Sequence, residues 1–166
     1  TVTTPTGTDT ITSSAPPAPS STPGNYPTTT GALADNITLG DGDDTLTDTG
    51  GANTVAGGLG NDNITTGGGA DVIDTGAGDN TVDAAAGNNS IVGGTGNDNV
   101  TTGADNDTIN TSTGNDTIVS GAGLDIINSG SGNHPIPYSN RASVIASHGD
   151  DTVPGGGTTH SILDGG

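Results

Sequence analysis

The stretches GGLGNDNIT (57–65) and GGTGNDNVT (93–101) are two copies of one nine-residue row, and that row repeats in register from Thr30 to Ala146. With the slots numbered one to nine, slot eight reads Ile37, Leu46, Val55, Ile64, Ile73, Val82, Ile91, Val100, Ile109, Ile118, Ile127, Ile136 and Ile145. These are thirteen aliphatic residues at a spacing of nine, without a gap. Slot six reads Asp35, Asp44, Asn53, Asp62, Asp71, Asn80, Asn89, Asp98, Asp107, Asp116 and Asp125, then His134 and Ser143. A fixed short period marks stacked units, none of which buries a hydrophobic face alone.

Each row has a turn half and a strand half. Slots one to six are rich in Gly, Ala, Asn and Asp, which accept positive φ or hydrogen-bond their own backbone. Slots seven to nine, such as Asn-Ile-Thr, alternate polar, aliphatic, polar, the period of a very short strand with one buried side chain. β-Branched residues at the inward slot suit a pleated surface. The predicted fold is all-β: a parallel β-solenoid with two short strands per coil. Two sheets face each other, and slot eight fills a thin core between them.

The pattern G-G-x-G-x-D-x-U-x, met at every slot by 57–65 and 93–101, resembles the calcium-binding nonapeptide of the RTX (repeats-in-toxin) family. Rows such as TGAGDNTVD (75–83) and AAAGNNSIV (84–92) keep the glycine and the aliphatic but lose the aspartate. The resemblance implies a β-roll with Ca2+ as its bound cofactor.

Composition agrees that something beyond apolar burial orders the chain. Only 27% of the 166 residues are hydrophobic, and Phe, Trp and Met are absent. That balance by itself belongs to disordered chains. The net charge is −18, from 19 acidic residues that are all Asp, against a single basic residue, Arg141. Stacked aspartates at this density repel one another, and a bound cation removes the conflict. Nucleic acid is excluded as a partner, because nothing neutralises phosphate. Cysteine is absent, so there is no disulfide or zinc-thiolate site. No 18-residue apolar run exists to span a membrane. Without an initiator Met or a signal-peptide pattern, the chain reads as mature, exported without a cleaved leader, or an excerpt.

Three regions follow. Residues 1–29 form an extended Thr/Ser/Pro-rich arm with one isolated repeat-like row (4–12), whose Gly7–Thr12 fit slots four to nine. Residues 30–137 are the regular β-roll. Residues 138–166 hold degenerate repeats, including ASHGDDTVP (146–154) and GGGTTHSIL (155–163), and are read as a terminal coil or assembly surface.

If two rows make a coil, slot six forms two columns. One runs Asp44, Asp62, Asn80, Asp98, Asp116, His134, and the other Asp35, Asn53, Asp71, Asn89, Asp107, Asp125. Calcium takes six to eight oxygens, which stacked turns supply as carboxylates and backbone carbonyls. The candidate metal ligands are Asp35, Asp44, Asp62, Asp71, Asp98, Asp107, Asp116, Asp125 and, in the shifted row, Asp151. The strongest pairs are Asp44/Asp62, Asp98/Asp116 and Asp107/Asp125, and sites flanked by Asn53, Asn80 or Asn89 lose a charge. A metal-free turn would use Asp or Asn alike, but Asn alone would serve it without the charge penalty. His134, His148 and His160 lack the short spacing of a transition-metal site.

No catalytic pattern is present: there is no H-E-x-x-H, no G-x-S-x-G, no Glu and no Lys. The reading is therefore not an enzyme. The leading expectation is an extracellular or cell-surface structural protein, a calcium-stabilised subunit of a filament, surface layer or matrix. Residues 1–12 would dock head-to-tail on the next copy by β-strand addition, across a linker reaching up to about 50 Å against an array of ~35 Å. Cell-surface polysaccharide is a further candidate partner. The alternative is a calcium-responsive folding module of a larger exported toxin, enzyme or adhesin. A minor alternative is ice binding, through the ladder Thr95-Gly96-Asn97, Thr113-Gly114-Asn115 and Ser131-Gly132-Asn133.

Overall fold

In a computed structural model the chain is all strand among the described residues, a parallel β-solenoid of about six turns. Residues 27–133 are described in full. Beyond them only the backbone pairing of residues 2–3, 10–12, 138–140, 143–148 and 161–164 is described.

The strands are β1 (Val2–Thr3), β2 (Thr10–Thr12), β3 (Pro27–Thr29), β4 (Asn36–Asp41), β5 (Thr45–Thr47) and β6 (Thr54–Leu59). They continue as β7 (Asn63–Thr65), β8 (Val72–Ala77), β9 (Thr81–Asp83), β10 (Ser90–Val92), β11 (Asn99–Thr101) and β12 (Thr108–Asn110). The last are β13 (Thr117–Ala122), β14 (Ile126–Ser131), β15 (Tyr138–Asn140), β16 (Ser143–His148) and β17 (Ser161–Asp164). Odd-numbered strands from β1 to β15 build one parallel sheet. The even-numbered strands and β17 build the other. From β3 to β14 neighbours lie eighteen residues apart, as in Val55↔Ile73 and Ile64↔Val82.

The expected slot-eight column is the core. Ile37, Leu46, Val55, Ile64, Ile73, Val82, Ile91, Val100, Ile109, Ile118 and Ile127 are all buried. The expectation of one buried side chain per row is too small, however. Slots six and one are buried as well, with Leu39 and Ala84 joining the apolar cluster from slot one. The inward alternation six, eight, one is a strand's period of two carried across the row boundary. For the same reason β4, β6, β8, β13 and β14 run six residues rather than three.

Apart from Leu39, Asp48, Gly57, Ala84 and Gly93, the slot-one residues from Thr30 to Ser129 are Thr or Ser, and some of their hydroxyls reach the rows above. Thr102 Oγ1 donates to the carbonyl of Ser120 at 2.9 Å and Thr111 Oγ1 to that of Ser129 at 3.0 Å. Where such a bond forms, a short hydroxyl satisfies its own polarity inside the narrow coil, whereas the hydroxyls of Thr30, Ser120 and Ser129 are buried without a partner.

Two further points correct the expected register. The slot-eight column through Ile145 does not continue: Ile127 pairs with Val144 and Ile145 with Asn128, with irregularities in the pairing beyond them. The column then passes from Val144 to Ile162. At the other end, β2 pairs with β4 of its own chain, Ile11 opposite Ile37. The isolated row in the arm thus forms part of the sheet.

Candidate metal centre

The turns place every described candidate aspartate inside the coil. Asp35, Asp44, Asp62, Asp71, Asp98, Asp107, Asp116 and Asp125 are each at most 3% exposed. Asp151 lies outside the described residues, as do His134, His148 and His160. The two slot-six columns are present. In each, a slot-six backbone N–H donates to the slot-six Oδ1 of the row eighteen residues later. The bonds join Asp44 to Asp62 at 2.9 Å, Asp98 to Asp116 at 2.8 Å and Asp107 to Asp125 at 3.0 Å. Asn53 interrupts the opposite column between Asp35 and Asp71, and makes the same bonds.

The asparagines show what the second side-chain atom faces. Nδ2 of Asn80 donates to the carbonyl of Gly78 at 3.0 Å, and Nδ2 of Asn89 to that of Gly87 at 3.0 Å. Both acceptors stand in slot four of the same turn. Asn89 Nδ2 also approaches the slot-one carbonyl of Ala84 at 3.4 Å. Aspartate is isosteric and is anchored through Oδ1 by the same bond. Its Oδ2 therefore takes the amide's place among carbonyl oxygens, an acceptor among acceptors. Oδ2 of Asp62 and of Asp98 is buried without a hydrogen-bond partner. Uncompensated burial of a carboxylate oxygen is costly, and a cation is the partner that suits both it and the carbonyls.

Electrostatics follow. Burial pushes the Asp62 carboxyl up to about 6 against the stabilising N–H of Asp44, and the charges of Asp44 and Asp43 push further. Asp98 is likewise raised to about 6 by burial, opposed by the N–H of Asn80 and aided by the charge of Asp116. Burial also raises Asp71 and Asp107.

Slot one makes room for Oδ2. A Cβ added to Gly57 would stand 2.6 Å from Asp62 Oδ2, and one on Gly93 the same distance from Asp98 Oδ2. Neither glycine has positive φ. They are needed for space, so the two rows that match the repeat pattern fully keep the carboxylate oxygen uncovered. Gly60 is a different case, with φ at +118° and the Gly42 carbonyl where a Cβ would stand, so that slot four requires glycine for conformation too.

The donor set is one slot-six carboxylate in each aspartate row plus turn carbonyls. Among the described residues no group of three or more His, Cys, Asp or Glu side chains gathers as a metal cluster. That is oxygen chemistry suited to calcium. The family model described as the RTX calcium-binding nonapeptide repeat (4 copies) matches residues 29–64, 47–82, 65–100, 74–109, 83–118 and 101–133. This chain belongs to the RTX calcium-binding nonapeptide repeat family. RTX nonapeptide repeats bind Ca2+, and the orphaned carboxylate oxygens of Asp62 and Asp98 fit that ion. No curated protein and no solved structure matches the chain.

Two features of this RTX roll escape the nonapeptide pattern. One is Asp48, a buried acid in slot one. The other is a second ladder on the exposed slot five, running opposite to the first. Here the later row donates: Asn61 N–H to Asp43 Oδ1 at 2.8 Å, Asp79 to Asn61 at 2.7 Å, Asn97 to Asp79 at 2.7 Å and Asn115 to Asn97 at 2.9 Å. The Thr-Gly-Asn rungs stack regularly, Thr95 against Thr113 and Thr113 against Ser131, with their threonine and serine exposed. The carbonyls of Asn97 and Asn115 are engaged in the slot-five ladder. Among the described residues no helix is long and apolar enough to cross a membrane.

Proposed function

We propose that this calcium-binding β-roll is an extracellular structural module whose folding is gated by calcium. One observation carries the reading: carboxylate oxygens of Asp62 and Asp98 are buried in the coil without a hydrogen-bond partner. One aliphatic side chain per nine residues gives too little apolar burial to offset that cost and the ordering of the backbone. Binding free energy is then folding free energy. At low free calcium, as inside a cell, the chain stays unfolded, and at extracellular calcium it winds into the roll. The test is circular dichroism of chelated protein titrated with calcium. A disordered spectrum that turns β-rich on addition is expected, and a β-rich spectrum in excess chelator removes the gating role.

A second reading, head-to-tail assembly into a filament, surface layer or matrix, is favoured by the pairing of β2 with β4. Residues 13–35 separate these strands, and β2 is the last strand of its sheet. The same pairing made with a neighbour's β4 would exchange the arm between copies and link them. Deleting residues 1–12 tests this by electron microscopy and light scattering in calcium. Filaments of the full chain that shorten or vanish support exchange, whereas filaments unchanged by the deletion remove the arm from assembly.

A further inference from the structure

Asp48 is a buried charge that the repeat does not call for. From Thr30 to Ser129 the other slot-one residues are Thr, Ser, Gly, Ala or Leu39, and Asp48 is the acid among them. It is 2% exposed. Its Oδ2 accepts from Asn53 Nδ2 at 2.6 Å and from the backbone N–H of Gly50 at 3.3 Å. Its Oδ1 is buried and has no hydrogen-bond partner.

The residue it grips is the one slot-six asparagine of its own row. Asn53 also donates its backbone N–H to Asp71 Oδ1 at 2.8 Å. One asparagine is thus held between two carboxylates, Asp48 through its side chain and Asp71 through its main chain. The Asn53 amide further approaches the carbonyls of Gly51 at 3.3 Å and Thr66 at 3.4 Å, so several oxygens converge on this turn. The other slot-six asparagines have no such neighbour: the rows of Asn80 and Asn89 carry Thr75 and Ala84 in slot one. Only in the Asn53 row has the missing carboxylate been returned, from the opposite side of the turn.

We propose that Asp48 and Asp71 hold a divalent cation of calcium's class between them, at a site whose acid has moved from slot six to slot one. Asp48 Oδ1 supplies the unpartnered oxygen and Asp71 the second carboxylate, while the Gly51 carbonyl of this row and the Thr66 carbonyl of the row stacked on it lie beside Asn53. The Asn53 row then ranks with the aspartate rows in binding strength, against the expectation from slot six alone. This inference rests on the calcium reading above.

Calcium bound per full-length chain, counted by isothermal titration calorimetry and native mass spectrometry, tests it. Asp48→Thr, which restores the threonine found at Thr30, Thr66 and Thr102, is expected to lose one ion. The transposed variant Asp48→Thr with Asn53→Asp is expected to return to the wild-type count. A single variant that keeps the wild-type count overturns the proposal. So does a transposed variant that binds one ion more than wild type, and this arm decides the matter if the single variant does not fold. A wild-type chain that binds no calcium at all overturns the calcium reading itself, which is a separate result.

Discussion

The backbone N–H of Asp98 donates to Oδ1 of Asp116 at 2.8 Å, and the backbone N–H of Asp62 donates to Oδ1 of Asn80 at 2.8 Å. Aspartate and asparagine are thus seated identically in slot six. They differ only in the second atom, an amide that donates to the slot-four carbonyl or a carboxylate oxygen that cannot. That difference separates a turn that closes on itself from one that needs an ion.

Exchanging one for the other should therefore act in opposite directions with and without calcium. Asp98→Asn is expected to remove calcium from its turn while adding a hydrogen bond to Gly96, worth about 1 kcal/mol to the metal-free roll. Asn at every slot six from Asp35 to Asp125 should give a chain that is β-rich in chelator. Circular dichroism in chelator and in calcium checks both. A fully substituted chain that remains disordered without metal would sink the account of slot six.

Acid should partly replace the ion. Asp62 and Asp98 titrate near 6 in the fold and near 3.8 when exposed, so the folded chain binds more protons between these values. Their contribution to the metal-free roll is fully present below about pH 3.8 and is lost as pH rises through about 6. Chelated protein should gain β structure as pH falls from 7 towards 4, while calcium affinity weakens over the same range because protons compete. A metal-free chain that becomes less ordered on acidification would contradict this.

Magnesium should not substitute. It demands a near-ideal octahedron at short distance and keeps its waters, whereas the interior beside Asp62 and Asp98 has only the room left by Gly57 and Gly93. At equal concentration, magnesium is expected to leave the spectrum of chelated protein unchanged. A magnesium-driven transition of similar midpoint would show that charge neutralisation alone suffices.

Ala85 holds φ at +49°, a conformation that favours glycine, in slot two of the row AAAGNNSIV. Ala85→Gly removes the side-chain penalty of the left-handed region and should stabilise the calcium-loaded roll by about 1 kcal/mol. Denaturant unfolding in saturating calcium measures it. A lower midpoint would mean that the flexibility gained by the unfolded chain outweighs the relief.

The roll itself was legible because its period is rigid: slot eight never fails from Ile37 to Ile127, and aspartate or asparagine never leaves slot six over the same rows. What the pattern hid lies in slots without a common residue type. Slot one holds Leu39, Asp48, Gly57 and Thr66 in successive rows, and only the coil shows that all four point inward or leave space there. Asp48 carries no signal in the pattern, because its partnership with Asn53 crosses the turn. The slip to Val144 was hidden by two aliphatic neighbours, Val144 and Ile145, either of which satisfies hydrophobicity.

Every bond of the slot-five and slot-six ladders spans eighteen residues, so each coil is tied chiefly to the next. Such a stack behaves as a row of coupled switches rather than as one globule. If calcium gates its folding, every added turn brings a further coupling to its neighbour, so both the midpoint and the sharpness of the response depend on how many turns are threaded together. On that reading, duplication of an eighteen-residue segment would lower the calcium midpoint and steepen the transition, making gene length itself the adjustment screw of the response.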